Sequence, residues 1–295
     1  MHTGFRTKVM RAWDAFVGQS LRDFRADQQV NSEHPGALRI ACAVLAMAGV
    51  MMVFREEQYR PTLSTWLEWM VDSTWFPNRL ALDIRDWCDA RQNVALSRLC
   101  YWSIWQFFTY VVGPALFVKL VLRHRLRDYG VKLRGATNCW WAYLGMYLVI
   151  LPFVLWMATE PSFQHTYPFF KPSDVGFGAL HENGTPTLVY WKRFWVWEAF
   201  YALQFVSLEF FFRGFMLHGT RRAFGIGSVY IMMIPYCMIH FGKPLPETLG
   251  ALIAGLVLGF MSLKTRSIWL GAASHISVAL TMDFAALAAL AVAIE

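Results

Sequence analysis

The sequence predicts an all-α fold: a polytopic transmembrane helical bundle of about seven spans with interfacial helices. Hydrophobic residues make up 56% of the 295 residues and charged residues only 16%. In soluble domains about a quarter of the residues are charged. The apolar residues also gather into stretches of roughly 18 or more, the length that crosses a bilayer core of about 30 Å. These observations predict insertion into a lipid bilayer.

The excess of positive charge does not indicate nucleic-acid binding. The net charge is +7, but the lysines and arginines lie just outside the apolar stretches, where they fix the orientation of membrane helices. The five cysteines show no spacing typical of a metal site. We therefore expect the bilayer itself as a partner, and no nucleic acid.

The predicted elements follow one another along the chain. Residues 1–36 are basic and amphipathic and predict a helix on the membrane surface. The predicted spans cover residues 37–55, 99–122, 139–159, 189–218, 228–241, 246–264 and 268–293. The fifth of them is short and ends at a Gly-Lys-Pro break, so its length is marginal for crossing alone.

Two connecting segments are too polar to cross. Residues 56–98 mix several tryptophans with acids and arginines, which predicts helices at the interface. Residues 160–187 contain four prolines, which predicts a mostly irregular loop. The sequence therefore divides into an N-terminal part over 1–98, a middle part over 99–188 and a C-terminal helical core over 189–295.

The basic residues also predict an orientation. Arginines and lysines crowd the short connections at 123–134, 221–222 and 264–266, whereas the loop 160–187 carries a single lysine. With seven spans, the basic connections fall on the same side as the basic N-terminus. We expect a multi-pass protein of a prokaryotic inner membrane with its N-terminus in the cytoplasm.

Ionisable side chains inside spans are costly, about 2.5–3.5 kcal/mol each on insertion scales, so each one indicates a function or a partner. The run 194–217 reads FWVWEAFYALQFVSLEFFFRGFML and contains Glu198, Glu209 and Arg213. Glu209 and Arg213 stand four residues apart on one helix face, so we expect them to pair. Glu198 lies about three turns earlier, which predicts a polar seam facing the bundle interior.

Two histidines lie in other predicted spans. His240 ends an apolar run, and His275 lies mid-span among small residues that allow close helix packing. We expect Glu209, Arg213, His240 and His275 to converge in one internal cavity. A carboxylate and an imidazole can together take a proton from water, and a further donor can hold a developing oxyanion. This set of residues predicts hydrolysis.

These segments resemble three sequence elements of the CPBP family, the CAAX-protease and bacteriocin-processing (Abi) membrane proteins. Segment 208–214 reads LEFFFRG and is similar to the EExxxRG element. Segment 236–240 reads YCMIH and is similar to FxxxH, and segment 275–279 reads HISVA and is similar to HxxxN. The resemblance covers residues 190–290. It implies an intramembrane glutamate-dependent endopeptidase without a metal or cofactor, acting on a membrane-associated peptide or protein tail.

Carried over residue by residue, the resemblance implies catalytic roles for Glu209, His240, His275 and Arg213. The chain departs from the family pattern at two positions. Leu208 replaces the first glutamate of the doublet, and Ala279 replaces the asparagine of the third element. Glu209 is therefore either the catalytic base or only the structural partner of Arg213. In the second case the base is another carboxylate. Glu247 and Glu198 are the possible supporting residues for this role.

Two other classes of function remain open on the sequence alone. Leu208 lacks the carboxylate and Ala279 lacks the amide of the family pattern. Both departures are compatible with a non-catalytic membrane scaffold or immunity protein. A relay of Glu and His side chains through a membrane is also typical of a proton-coupled transporter. A transporter of that kind predicts internal pseudo-symmetry, which the sequence does not show.

Overall fold

The computed structural model of the chain describes residues 36–133, 137, 139–176, 178–181, 185–243 and 245–292, together with Gly18 and Arg22. Most of the predicted surface helix over 1–36 lies outside these residues. Within them, helices account for most of the chain, and the β pairing is an isolated bridge between Leu180 and Pro186. The helices are α1 (Ala37–Arg55), α2 (Leu63–Asp72), α3 (Asn78–Asp89), α4 (Val94–Val121), α5 (Trp140–Met157), α6 (Pro161–Thr166), α7 (Pro172–Val175), α8 (Leu188–Phe224), α9 (Gly227–Met238), α10 (Leu245–Thr265) and α11 (Trp269–Val292).

The predicted all-α membrane fold is confirmed. Among the described residues six helices are long and apolar enough to cross a membrane, namely α1, α4, α5, α8, α10 and α11. The predicted fifth span corresponds to α9, which has 12 residues and is about 18 Å long. That length is too short to cross a bilayer core of about 30 Å, as the short apolar run in the sequence indicated.

Helix α8 extends further than the apolar run that predicted it. It includes the polar turn Leu217–Phe224 and ends at Gly225, whose φ of 53° lies in the region that favours glycine. Helical hydrogen bonding does not stop where side chains become polar, so hydropathy alone placed the end too early at residue 218. Helix α4 begins five residues before its predicted start for the same reason.

The interfacial segment contains helices, as predicted. Helix α2 begins at Thr62, whose side-chain oxygen accepts a hydrogen bond from the Thr65 backbone N–H at 3.2 Å. Trp69 and Trp87 on α2 and α3 expose about half of their surface. Such amphipathic aromatic side chains are typical of the membrane–water boundary.

The loop over 160–187 is less irregular than predicted. It contains α6 and α7, which start at Pro161 and Pro172. Proline interrupts a helix interior but suits the first helical position, because its fixed φ is already helical and no hydrogen bond is lost there. The sequence prediction treated each proline as a breaker and missed these two starts.

The helices divide into two compact units. Unit 1 comprises the described parts of Met1–Val50, Pro114–Asn138 and Leu208–Trp269. Unit 2 comprises Met51–Gly113 and the described parts of Cys139–Ser207 and Leu270–Glu295. The division at residues 98 and 188 stays a prediction. A cluster of aromatic side chains forms much of the unit 2 core, including Phe170, Tyr190, Phe194, Trp197 and Tyr201.

Within unit 1, α9 packs closely against α10. Gly255 and Gly259 lie one turn apart on the α10 face that meets α9, which is the small-xxx-small spacing of close membrane helix pairs. A Cβ atom on Gly259 would lie 2.8 Å from Val229 Cγ1, and one on Gly255 would lie 3.1 Å from Tyr236 Cδ1. The absence of a side chain at these positions therefore permits the approach of α9.

We expect Gly259→Ala to destabilise this helix pair. The added methyl overlaps the branched Val229 side chain, and overpacking of this kind costs about 1–3 kcal/mol. Gly250→Ala is the matched control, since nothing lies within 4 Å of its Cβ position on the same helix. Thermal unfolding in detergent should show a lower Tm for Gly259→Ala only. Equal Tm values for the two variants would contradict the packing argument.

Candidate active site

The centre of the candidate site is an ion pair inside α8. Glu209 Oε1 lies 3.2 Å from Arg213 Nη1, and the side chains are 1% and 0% exposed. The pairing predicted from the four-residue spacing is therefore present. Both charges are removed from water, so each depends on the other for its stability.

The segment that carries Arg213 is not an ordinary α-helix. Residues Phe210–Met216 form a π-helix between the α-helical parts of α8. Such wide turns often occur at functional sites. The Ser262 hydroxyl on α10 donates to the Arg213 carbonyl at 3.5 Å, and Gly214 lets the Tyr129 carbonyl approach to 2.8 Å from where a Cβ would lie.

Arg213 connects this pair to α9. Its guanidinium carbon lies 3.9 Å from the centre of the Tyr236 ring, a cation–π contact. Tyr236 is 2% exposed, and its ring packs edge-on against Phe212. The contact joins the first and second sequence elements within unit 1.

His240 follows one turn after Tyr236. Its ring centre lies 5.0 Å from that of Tyr236, and its Nδ1 lies 3.0 Å from the Tyr236 carbonyl oxygen. A carbonyl can only accept, so Nδ1 carries the proton and the lone pair of a neutral imidazole lies on Nε2. This contact also satisfies a carbonyl at the end of α9, a structural task that His240 performs whatever its chemistry.

Glu247 lies at the start of α10, close to the same turn. Its Oε1 is 2.6 Å from Lys243 Nζ, and both side chains are partly exposed. Thr248 donates from its hydroxyl to the His240 carbonyl at 3.0 Å, which fixes the α9–α10 connection.

The structure thus brings four residues into one series of contacts, Glu209, Arg213, Tyr236 and His240, with Glu247 nearby. Leu208 is buried beside them in the position of the missing doublet glutamate. Sequence reasoning missed Tyr236, because it was read only as a substitute for the phenylalanine of the motif. The hydroxyl that distinguishes tyrosine from phenylalanine, placed in an apolar span, was the signal that could have identified it.

The remaining predicted residues lie in unit 2. His275 is partly buried, and its ring stacks on Phe205 with centres 5.6 Å apart. Ala279 is buried in the aromatic cluster that includes Tyr190 and Trp197. The methyl side chain at 279 therefore fills a packed apolar position.

Glu198 interacts with an acid, Asp283, that was not part of the predicted polar seam. On α8 it is 5% exposed, and it interacts electrostatically with Asp283 on α11, which is fully buried. The pair links α8 to α11 within unit 2.

The comparison with known families completes this picture. Residues 190–281 match the family described as type II CAAX prenyl endopeptidase, Rce1-like. This C-terminal part of the chain is therefore similar to the CAAX protease family. The matched range contains Glu209, Arg213, His240 and His275. No curated protein and no solved structure is significantly similar to the chain.

The similarity supports a membrane protease of the CAAX type at the level of the family, and the six long apolar helices of the described residues support a multi-pass membrane protein. In the described ranges, the His, Cys, Asp and Glu residues do not form a group of three or more that could hold a metal ion.

Proposed function

We propose that the chain is an endopeptidase that hydrolyses a peptide bond in a membrane-associated peptide or protein tail, with Glu209 and His240 activating the water. The observation that carries the proposal is the series of contacts from Glu209 through Arg213 and Tyr236 to His240. It links a carboxylate and an imidazole from two helices, the pair that general acid–base hydrolysis requires.

Each group has a defined task in the proposed reaction. Arg213 keeps Glu209 ionised and oriented, so that the carboxylate can take a proton from the attacking water. The water oxygen adds to the peptide carbonyl carbon, and the tetrahedral intermediate then expels the amine as the C–N bond breaks. His240 orients the water through Nε2, and Nε2 then accepts the proton that Glu209 took from the water and delivers it to the leaving nitrogen. His275 is proposed as a donor to the oxyanion.

Two other carboxylates remain candidates for the base. Glu247 is proposed as a supporting residue because its neighbour Thr248 bonds the His240 carbonyl and its own side chain is partly exposed. Glu198 is the weaker candidate, since its carboxyl group is engaged with Asp283.

The proposal is tested by looking for a processed substrate. Membranes from cells that lack the gene are compared after complementation with wild type or with Glu209→Gln, and new protein termini are mapped by mass spectrometry. We expect a new terminus with wild type only. Glu68→Gln, an exposed acid on α2, is the matched control and should process normally.

The same experiment addresses the alternatives. A non-catalytic scaffold or immunity protein is favoured by the apolar side chains of Leu208 and Ala279, and it predicts no new terminus even with wild type. If processing continues in Glu209→Gln but stops in Glu247→Gln or in Glu198→Gln, the residue whose substitution stops it is the base. A proton-coupled transporter, for which the Glu198–Asp283 pair is the relevant observation, predicts pH-dependent flux in proteoliposomes instead.

We further propose a prokaryotic inner membrane and a cytoplasmic N-terminus. The support is the basic side chains at the ends of α8 and α10, among them Arg221, Arg222 and Lys264.

A further inference from the structure

Three segments of unit 1 are strongly basic. They are residues 122–133 after α4, residues 217–226 at the end of α8 and residues 263–268 at the end of α10. Together they contain one acid, Asp128. An excess of one sign of this kind creates a positive field that attracts anions. The basic residues are Arg123, Arg125, Arg127, Lys132, Arg221, Arg222, Lys264 and Arg266.

Hydrogen bonds join the first of these segments to the third. The Gly130 carbonyl accepts from the Ile268 backbone N–H at 3.0 Å. The Lys132 carbonyl accepts from the Ser267 hydroxyl at 3.3 Å. The backbone of Lys132 is therefore held next to the turn that carries Arg266.

The first segment also packs closely against the end of α8. A Cβ atom on Gly130 would lie 3.2 Å from His218 Cδ2, and one on Gly219 would lie 3.3 Å from Tyr129 Cε1. The arginines of α8 follow within one turn of these contacts. The three segments therefore meet at one end of unit 1, and we call the surface formed by their eight basic residues the basic face.

The basic face lies beside an apolar surface. Leu120 and Val121, in the last turn of α4, are 69% and 63% exposed, and Leu133 is 72% exposed. Apolar side chains at the end of a membrane helix contact acyl chains, and basic side chains just beyond them are at the depth of the headgroups. Several of these basic side chains are exposed, namely Arg123, Arg125, Arg127, Lys132 and Arg222.

Two of the arginines occupy positions where glycine is usual. Among the described residues, the non-glycine residues with a positive φ are Arg123, at 54°, and Arg266, at 52°. They follow the ends of α4 and α10, where a left-handed residue often terminates a helix and is usually glycine. A side chain disfavours this conformation by about five- to thirtyfold. Arginine at both positions indicates a use for the charge beyond the fold.

We propose that the basic face binds the headgroup phosphates of anionic phospholipids. The planar guanidinium of arginine donates two parallel hydrogen bonds to phosphate oxygens. The neighbouring apolar side chains favour a lipid over a nucleic acid or an acidic soluble protein, which would leave them in water. Orientation by positive charge requires only basic residues on the correct side of the membrane, whereas here hydrogen bonds and packing bring charges from three spans together. The proposal does not depend on the proposed reaction.

Lipid-dependent stability tests the proposal. The purified full chain is unfolded by heat in detergent with added phosphatidylglycerol or with phosphatidylcholine of the same acyl chains. A ligand of the folded state raises Tm, so phosphatidylglycerol should raise it and phosphatidylcholine should not. Salt should weaken the effect. In Arg123→Gly/Lys132→Gln/Arg222→Gln the apparent Kd for phosphatidylglycerol should rise about a hundredfold, since each basic residue contributes about fivefold.

The matched control removes the same charge from unit 2. Arg79→Gln/Arg91→Gln/Arg98→Gln replaces three exposed arginines in and after a segment that also carries three exposed aspartates. Its apparent Kd for phosphatidylglycerol should equal that of wild type. An equal loss of affinity in both triple variants would show that net charge, and not the basic face, attracts the lipid, and would overturn the proposal.

Arg123→Gly separates binding from folding. Glycine adopts the φ of this position without strain, so Tm in lipid-free detergent should equal or exceed that of wild type. The affinity for phosphatidylglycerol should fall about fivefold. A lower Tm with unchanged affinity would make Arg123 a structural residue and contradict the proposal. Equal stabilisation by phosphatidylcholine, inorganic phosphate or a duplex oligonucleotide would also reject an anionic phospholipid as the ligand.

Discussion

Arg213→Met is expected to destabilise the protein by about 3–5 kcal/mol and to abolish processing. The substitution leaves the Glu209 carboxylate buried at 1% exposure without its partner, and an uncompensated buried charge is among the most costly defects in a protein interior. It also removes the cation from the Tyr236 ring. Unfolding by heat or denaturant in detergent measures the loss of stability.

The double variant Glu209→Leu/Arg213→Met should recover most of that stability. Replacing both members of a buried ion pair by apolar side chains of similar size is often neutral, because the desolvation cost disappears together with the attraction. Processing should stay absent in the double variant, since the proposed base is gone. A double variant as unstable as Arg213→Met would show that the pair contributes more than mutual neutralisation.

His240→Gln is expected to lower the cleavage rate about 10²–10⁴-fold, the usual contribution of a general acid–base residue. The cost in stability should be much smaller, about 1 kcal/mol, because the side chain is partly exposed and the change replaces a hydrogen bond to a backbone carbonyl. Glutamine retains a donor, so the end of α9 keeps a partner for that carbonyl.

His165→Gln is the matched control for this change, because His165 is an exposed histidine at the end of α6. It should affect neither rate nor stability. If His240→Gln lowers the melting temperature strongly and leaves the rate of the folded fraction unchanged, His240 is a helix-capping residue and not part of the reaction.

The sequence alone predicted the features that depend on local spacing along the chain. The spans follow from the length of the apolar runs, and the Glu209–Arg213 pair follows from a four-residue separation on a helix. The features that it did not predict depend on tertiary packing. The π-helix over Phe210–Met216 is one, because a 3.6-residue period was assumed along the whole of α8.

The contact between Arg213 and Tyr236 is another feature that could not be predicted from the sequence. It depends on how closely α9 approaches α8, and this in turn depends on Gly255 and Gly259 of a third helix. The partner of Glu198 was missed for a similar reason. Asp283 lies 85 positions further along the chain, and only the packing of α8 on α11 brings the two acids together.

The shortness of α9 has a consequence for the lipid around it. A helix of about 18 Å that starts at one membrane face ends well inside a hydrocarbon layer of about 30 Å. The polar turn that carries His240 then lies at a depth where acyl chains would otherwise be, and its backbone groups are satisfied internally, as by the bonds from Lys243 N and Thr248 Oγ1 to the His240 carbonyl. We expect the surrounding bilayer to thin or to admit water at this point, and this hydrophobic mismatch would let water reach a reaction centre enclosed by lipid.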